Sequence, residues 1–118
     1  MIRIGTCPKK LNEGGYKKYM ENKGYKCIKL SRANRESIIH SFKYLRDYYN
    51  HWAEINDFLD FKLEKCFKVG SPDFLIIDRI GNYWLCEFKS KNDFLSVNQL
   101  SWLKRNEELP IEITIAVD

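Results

Sequence analysis

Three charged residues, Asp73, Glu87 and Lys89, stand in a stretch that otherwise reads as buried: GSPDFLIIDRIGNYWLCEFKS, residues 70 to 90. Two short apolar runs flank a Gly-Asn pair, the pattern of a β-hairpin. With Arg79 to Asn82 as the turn, Asp78 opposes Tyr83, Phe74 opposes Glu87, and Asp73 falls beside Glu87. Neighbouring side chains across a strand pair lie about 5 Å apart at Cβ. Carboxylates that close repel each other and lose hydration. A divalent cation reverses both penalties, and Mg²⁺ typically takes one or two carboxylates together with water and phosphate oxygens. Lys89, two positions after Glu87, projects from the same face, while Phe88 points to the other. An ammonium there can hold or activate an attacking water, or stabilise charge on a pentacovalent phosphorus. The competing account is a frayed hairpin end, with Glu87 and Lys89 a surface pair of little weight. E-x-K alone is common by chance; P-D, apolar strand, turn, apolar strand and E-x-K in series is far more specific.

Positioning these groups requires a sheet and helices around it. The stretch NEGGYKKYMENKG, 12 to 24, reads as a first helix with Tyr16, Tyr19 and Met20 as its apolar stripe and Gly24 as its stop, although Gly14 and Gly15 weaken its first turn. YKCIKLS, 25 to 31, alternates as a half-covered strand. Ile38, Phe42, Leu45, Tyr49 and Trp52 recur at helical spacing and predict an amphipathic helix over 36–52. The following INDFLDFKLEKCFKV fits either a short helix or a strand entering the hairpin, whose strands are expected near 73–79 and 83–89. Ser96 and Gln99 form an S-x-x-Q capping box, Leu95 and Leu100 a hydrophobic staple, and Pro110 ends the helix over 96–109. IEITIAV, 111 to 117, is a β-branched final strand. The expected order is α-β-(helical insert)-β-β-α-β: a single α/β domain over residues 1–118, a central mixed sheet flanked by helices, with an insert over about 33–68.

A chain of 118 residues suits one core, and 44% hydrophobic residues suffice to fill it. No apolar run reaches the roughly 20 residues of a membrane span, and the N-terminus lacks the apolar centre of a signal peptide. Cys7, Cys27, Cys66 and Cys86 are scattered without zinc spacing and read as small hydrophobes in a reducing compartment. These features predict a cytoplasmic protein with no membrane partner, or one in a host-cell cytoplasm if a virus or plasmid encodes it. Charge is asymmetric. Residues 1–35 hold ten Lys/Arg against two acids, a balance of +8, and residues 36–118 a balance of −4. A basic third joined to an acidic remainder suits a polyanion-binding face beside a carboxylate site. Lys9, Lys10, Lys17, Lys18, Lys26, Lys29, Arg32 and Arg35 are the expected phosphate contacts, holding a backbone without reading sequence.

Gly70, Pro72-Asp73, Glu87-Phe88-Lys89 and Gln99, in this order, resemble the PD-(D/E)XK nuclease superfamily. DFLSVNQLSWL, Asp93 to Leu103, is most similar to the pattern that follows E-x-K in virus-type replication-repair nucleases (VRR-NUC). Glu13, Gly24-Tyr25 and Ser31-Arg32 also look like archaeal Holliday-junction resolvases. The resemblance covers about two-thirds of the chain and omits the segment 33–68. It implies a restriction-endonuclease-like core and a Mg²⁺-dependent (or Mn²⁺-dependent) deoxyribonuclease, structure-specific and concerned with DNA repair or recombination. Asp73, Glu87 and the backbone carbonyl of Phe88 would then be metal ligands, and Lys89 the catalytic lysine. Glu13 would hold a water at the metal or a second ion; its alternative is an i,i+4 pair with Lys17. Gln99 would touch the metal water or the DNA, or serve only the helix cap. A dimeric Holliday-junction resolvase, with the insert helix at a homodimer interface, is the alternative within the class. A nucleic-acid-binding module without cleavage is the alternative outside it. His40 and His51 lack an acid partner at metal spacing and read as core or surface residues. Tyr44, Tyr48, Tyr49 and Trp52 fit base stacking, a helix–sheet core or a dimer contact.

Overall fold

The computed structural model describes residues 2–49 and 52–118, the side chains of 46–49 excepted. Its order is β1 (Ile2–Cys7), α1 (Glu13–Asn22), β2 (Lys26–Lys29), α2 (Arg35–Tyr49), α3 (Trp52–Asp57), β3 (Phe74–Ile77), β4 (Tyr83–Ser90), α4 (Val97–Arg105) and β5 (Ile111–Ala116). The strands form one mixed sheet in the order β1-β5-β4-β3-β2, with β1, β5 and β4 parallel and the β4-β3-β2 pairs antiparallel. The α/β class with a helix-flanked mixed sheet is therefore as expected, enlarged by an edge strand, β1, that the sequence reading did not include. Among the described residues no helix is long and apolar enough to cross a membrane.

Each sheet face has its own core. Leu75, Ile77, Leu85 and Ile111 meet Ile38, Phe42 and Leu45 of α2, Ile55 of α3, and Trp102 and Leu103 of α4. Phe74, Ile76, Cys86 and Phe88 meet Tyr16 and Met20 of α1 on the other face. Alternation along β3 and β4 thus feeds two cores, which is why FLII reads as continuously apolar. The insert is a covering layer: its Phe42 and Phe58 pack ring against ring with each other and with Tyr83 of the sheet. It also holds α4, because Trp102 Nε1 donates to the Lys65 carbonyl at 2.8 Å. The ambiguous stretch after α3 forms a π turn over Phe58–Lys62 and a 3₁₀ turn over Leu63–Phe67, with no strand. Of the helix expected over 36–52, the part up to Tyr49 is α2 and Trp52 belongs to α3, while 50 and 51 lie outside the described residues.

All four cysteines are buried free thiols. Burial pushes Cys27, Cys66 and Cys86 up to about 12, so they remain protonated and act as apolar packing.

Two glycines fix the ends of β3. Asp78 Oδ1 accepts from the amides of Ile80 and Asn82, and Gly81 takes φ +89°, so the hairpin loop is Arg79–Gly81. That corrects the expected register by one residue: Ile77 pairs with Tyr83 and Phe74 with Cys86. Gly70 also has φ +89°, and a Cβ there would run into the Asn98 carbonyl oxygen at the start of α4. Gly70→Ala should cost at least about 2 kcal/mol from left-handed strain plus the collision. Thermal unfolding checks this, and an unchanged Tm would remove Gly70 as the device seating the Pro72-Asp73 segment against α4.

Candidate functional site

Continued one residue beyond the Phe74–Cys86 pair, the corrected register brings Asp73, at a bend just before β3, level with Glu87. β3 begins at Phe74, whereas β4 runs on to Ser90, so residues 87–90 overhang β3 while staying paired with β5 on their other side. Asp73 closes over that overhang by two bonds to the residues flanking Glu87. Its amide donates to the Cys86 carbonyl at 3.0 Å, and its Oδ2 accepts from the Phe88 amide at 2.8 Å. Its own carbonyl accepts from Leu30 N at 2.9 Å, tying β2 to the same corner. Within a strand the N–H and C=O of one residue point to the same side. The Phe88 carbonyl therefore faces the side on which Asp73 lies.

Glu87 is 3% exposed. Burial, then a hydrogen bond and charge repulsion from Asp73, push its carboxyl up to about 9; Lys89 opposes the shift and the Glu13 charge adds to it. Glu87 thus holds a proton at neutral pH when no metal is present. Lys89 Nζ lies 3.8 Å from Glu87 Oε2 and donates to Gln99 Oε1 at 3.0 Å. Gln99 is the N3 residue of the predicted capping box, which is complete: Ser96 Oγ accepts from Gln99 N at 3.1 Å, and Gln99 Oε1 accepts from Ser96 N at 2.9 Å. One amide oxygen thus serves helix cap and lysine together.

Glu13 starts α1, where Asn12 is the N-cap and its Oδ1 accepts from Gly15 N at 2.7 Å. The Glu13–Lys17 pair, the alternative to a metal role for Glu13, does not form. Lys17 pairs with Glu21 at 2.9 Å, and Glu13 pairs with Lys29 of β2 at 3.4 Å. The glycines that looked unfavourable accommodate this start, since a Cβ at Gly15 would press on Asn12 Oδ1 at 3.1 Å.

The site lies at one end of the sheet, where Cys7, Ala116 and Ser90 align and Lys29, Phe74 and Cys86 align beside them. Lys9 and Lys10 follow β1 at this end, Lys29 ends β2 there, and Arg32 and Arg35 come after it. Lys26 pairs with Ile77 and so belongs to the hairpin end, about 10 Å away along a four-residue strand. Lys17, Lys26 and Lys29 line a groove of about 450 Å³ with Asn34. Arg32 and Arg35 share Glu64, at 3.0 and 3.1 Å, and Arg32 stacks on Phe67. Lys18 is exposed on α1. His40 is exposed on α2 and is not brought to the site; Tyr44 and Trp52 are more than half exposed. His51 and the side chains of Tyr48 and Tyr49 lie outside the described residues.

A hard divalent cation suits this donor set. Among the described residues no three His, Cys, Asp or Glu side chains form a metal cluster. Two carboxylates and a main-chain carbonyl remain, all oxygen, matching a Mg²⁺ that keeps several waters and meets a phosphate. The buried, repelling pair gives such an ion something to neutralise. Family models, curated proteins and solved structures give no significant match to this chain, so the reading of the site stands on its own geometry.

Proposed function

We propose that the protein is a Mg²⁺-dependent nuclease of the PD-(D/E)XK type, similar to VRR-NUC domains, that hydrolyses DNA phosphodiester bonds. The observation that carries this reading is the clamping of Asp73 over the buried Glu87, with Lys89 two positions along the same face. A surface ion pair at a frayed hairpin end would have both partners exposed; here Glu87 is buried and the Lys89 side chain is 13% exposed. A divalent cation bound there would supply positive charge against the scissile phosphate and the leaving-group charge that develops. Asp73 and Glu87 would hold it, with the Phe88 carbonyl and, through water, Glu13. Lys89 presents N–H donors to the attacking water or a non-bridging phosphate oxygen, and Gln99 keeps its ammonium from swinging away. Ser96 in turn fixes Gln99, so the first turn of α4 is part of the same assembly.

Incubation with linear, flap and four-way-junction DNA, in Mg²⁺, Mn²⁺ or EDTA, tests the reading. Cleavage in metal and none in EDTA is expected; binding without cleavage in any metal would replace it with the non-cleaving module. A preference for the four-way junction by a dimer would favour the resolvase.

The cations at the site end give a separate prediction. Each phosphate contact contributes about 0.9 to the slope of log K against log salt. Replacing Lys29 and Arg32 together with Ala should flatten that slope by about two units and weaken binding to all sequences alike. Lys26→Ala should change it less. The ion pairs that Lys29 and Arg32 make are exposed, so a phosphate can displace the carboxylates. An unchanged slope in the double variant would place the backbone elsewhere.

A further inference from the structure

Among the described residues the three most exposed large apolar side chains are Phe94 at 88%, Val97 at 78% and Val69 at 75%. They lie on two segments that meet beside the carboxylate pair. Val69 precedes Gly70, Val97 precedes Asn98, and Gly70 lies against the Asn98 carbonyl. Two residues beyond Val97, Gln99 binds Lys89. Phe94 directly follows a tight turn that Asp93 closes on Ser90: the Asp93 amide donates to the Ser90 carbonyl and its Oδ2 accepts from the Ser90 amide, both at 3.1 Å. Lys68 and Lys91, both exposed, flank the apolar residues on their two segments.

Single exposed apolar residues are ordinary, but three on meeting segments flanked by cations are a particular surface. Lysines are depleted from the centres of protein interfaces, whereas aromatic platforms edged by cations suit single-stranded nucleic acid. We propose that Val69, Phe94 and Val97 form a platform for an unpaired base next to the scissile phosphate, with Lys68 and Lys91 against its neighbouring phosphates. This rests on the nuclease reading and adds to it the local form of the substrate: a strand whose base beside the cut is out of the stack. Phe94 supplies the aromatic face; the two valines flank it.

The test uses the full chain in EDTA, so that no turnover occurs, with single-stranded DNA carrying 2-aminopurine and a blunt duplex of equal length. Wild type should quench the 2-aminopurine fluorescence on binding. Phe94→Ala should lose that quench and bind the single strand about 5- to 150-fold more weakly, while duplex affinity stays within about two-fold. Phe94→Trp should restore the quench and Phe94→Leu should not, which separates stacking from mere apolar cover. Single-strand affinity unchanged in Phe94→Ala overturns the platform; if Mg²⁺-dependent cleavage is still lost in Asp73→Asn, the nuclease reading survives. A wild-type protein that binds neither DNA overturns both. A Phe94→Ala protein that passes from dimer to monomer in sedimentation with DNA affinity intact assigns the patch to a second copy and overturns the platform as well.

Discussion

Glu87→Gln should abolish cleavage and, in the absence of metal, make the protein more stable at alkaline pH. The two effects have one cause. In the unfolded chain a glutamate titrates near 4.5, and in the fold burial and Asp73 push Glu87 up to about 9. The metal-free native state therefore holds a proton that the unfolded state releases between these values. Stability supplied by that proton is complete below the lower value and is lost as pH rises through the upper one. Each pH unit inside the window costs the metal-free fold up to about 1.4 kcal/mol. A neutral amide of the same shape does not titrate, so at pH 8 the variant should melt about 5 °C or more above wild type, and near pH 4.5 the two should coincide. Mg²⁺ competes with the proton, so it should stabilise wild type increasingly as pH rises and leave Glu87→Gln unaffected. On the nuclease reading, cleavage should fall by orders of magnitude in Glu87→Gln and in Asp73→Asn with DNA binding largely kept, because metal ligands would serve the chemistry more than affinity. Parallel melting-temperature profiles for wild type and Glu87→Gln would mean that the buried carboxylate is not the group held against its charge, and full activity in either variant would end the metal-site assignment.

The charges that define this site were legible because they interrupt runs that otherwise have every reason to be buried. The register was not. β3 is covered on both faces, so its apolar residues carry no alternation to say which of them opposes which. The deciding information sat in the turn, where Gly81 accepts a left-handed φ and Asp78 caps two amides, shortening the loop by one residue and bringing Asp73 level with Glu87. β1 was missed for the opposite reason. Ile2 and Ile4 alternate with polar and small residues, yet both are exposed on an edge strand, so the run has no buried apolar face to mark it. The pairing of Glu13 shows the limit of local rules. An i,i+4 partner was available in Lys17, but Lys29 on the neighbouring strand lies across from the helix start and takes the contact. Likewise, helical spacing marked α2 without revealing that the insert is what covers the sheet face carrying Glu87 and Lys89. The α4 start was fully legible as a capping box, and its second role was hidden, since only the tertiary fold brings Lys89 to the capping oxygen.

That shared oxygen makes the sharpest separation between architecture and chemistry. Lys89→Ala should eliminate turnover with little change in Tm: its ammonium is the cation 3.8 Å from Glu87, and the transition state loses its charge stabilisation. Gln99→Ala removes one acceptor from two donors. Loss of the cap should cost about 1 kcal/mol, and the freed Lys89 should slow cleavage by about ten- to a hundred-fold, the effect of losing an orienting partner. Ser96→Ala is the control that splits these contributions. It deletes the Oγ half of the capping box, with a similar cost of about 1 kcal/mol, but leaves Gln99 Oε1 on Lys89. Its activity should therefore stay within a few-fold of wild type at a reduced Tm. If Ser96→Ala and Gln99→Ala lose activity equally at equal stability, the lysine is positioned by the helix start as a whole and the glutamine has no separate role. A Lys89→Ala protein that cuts DNA at the wild-type rate would remove the lysine from the mechanism, and with it the feature that distinguishes this site from a buried carboxylate pair.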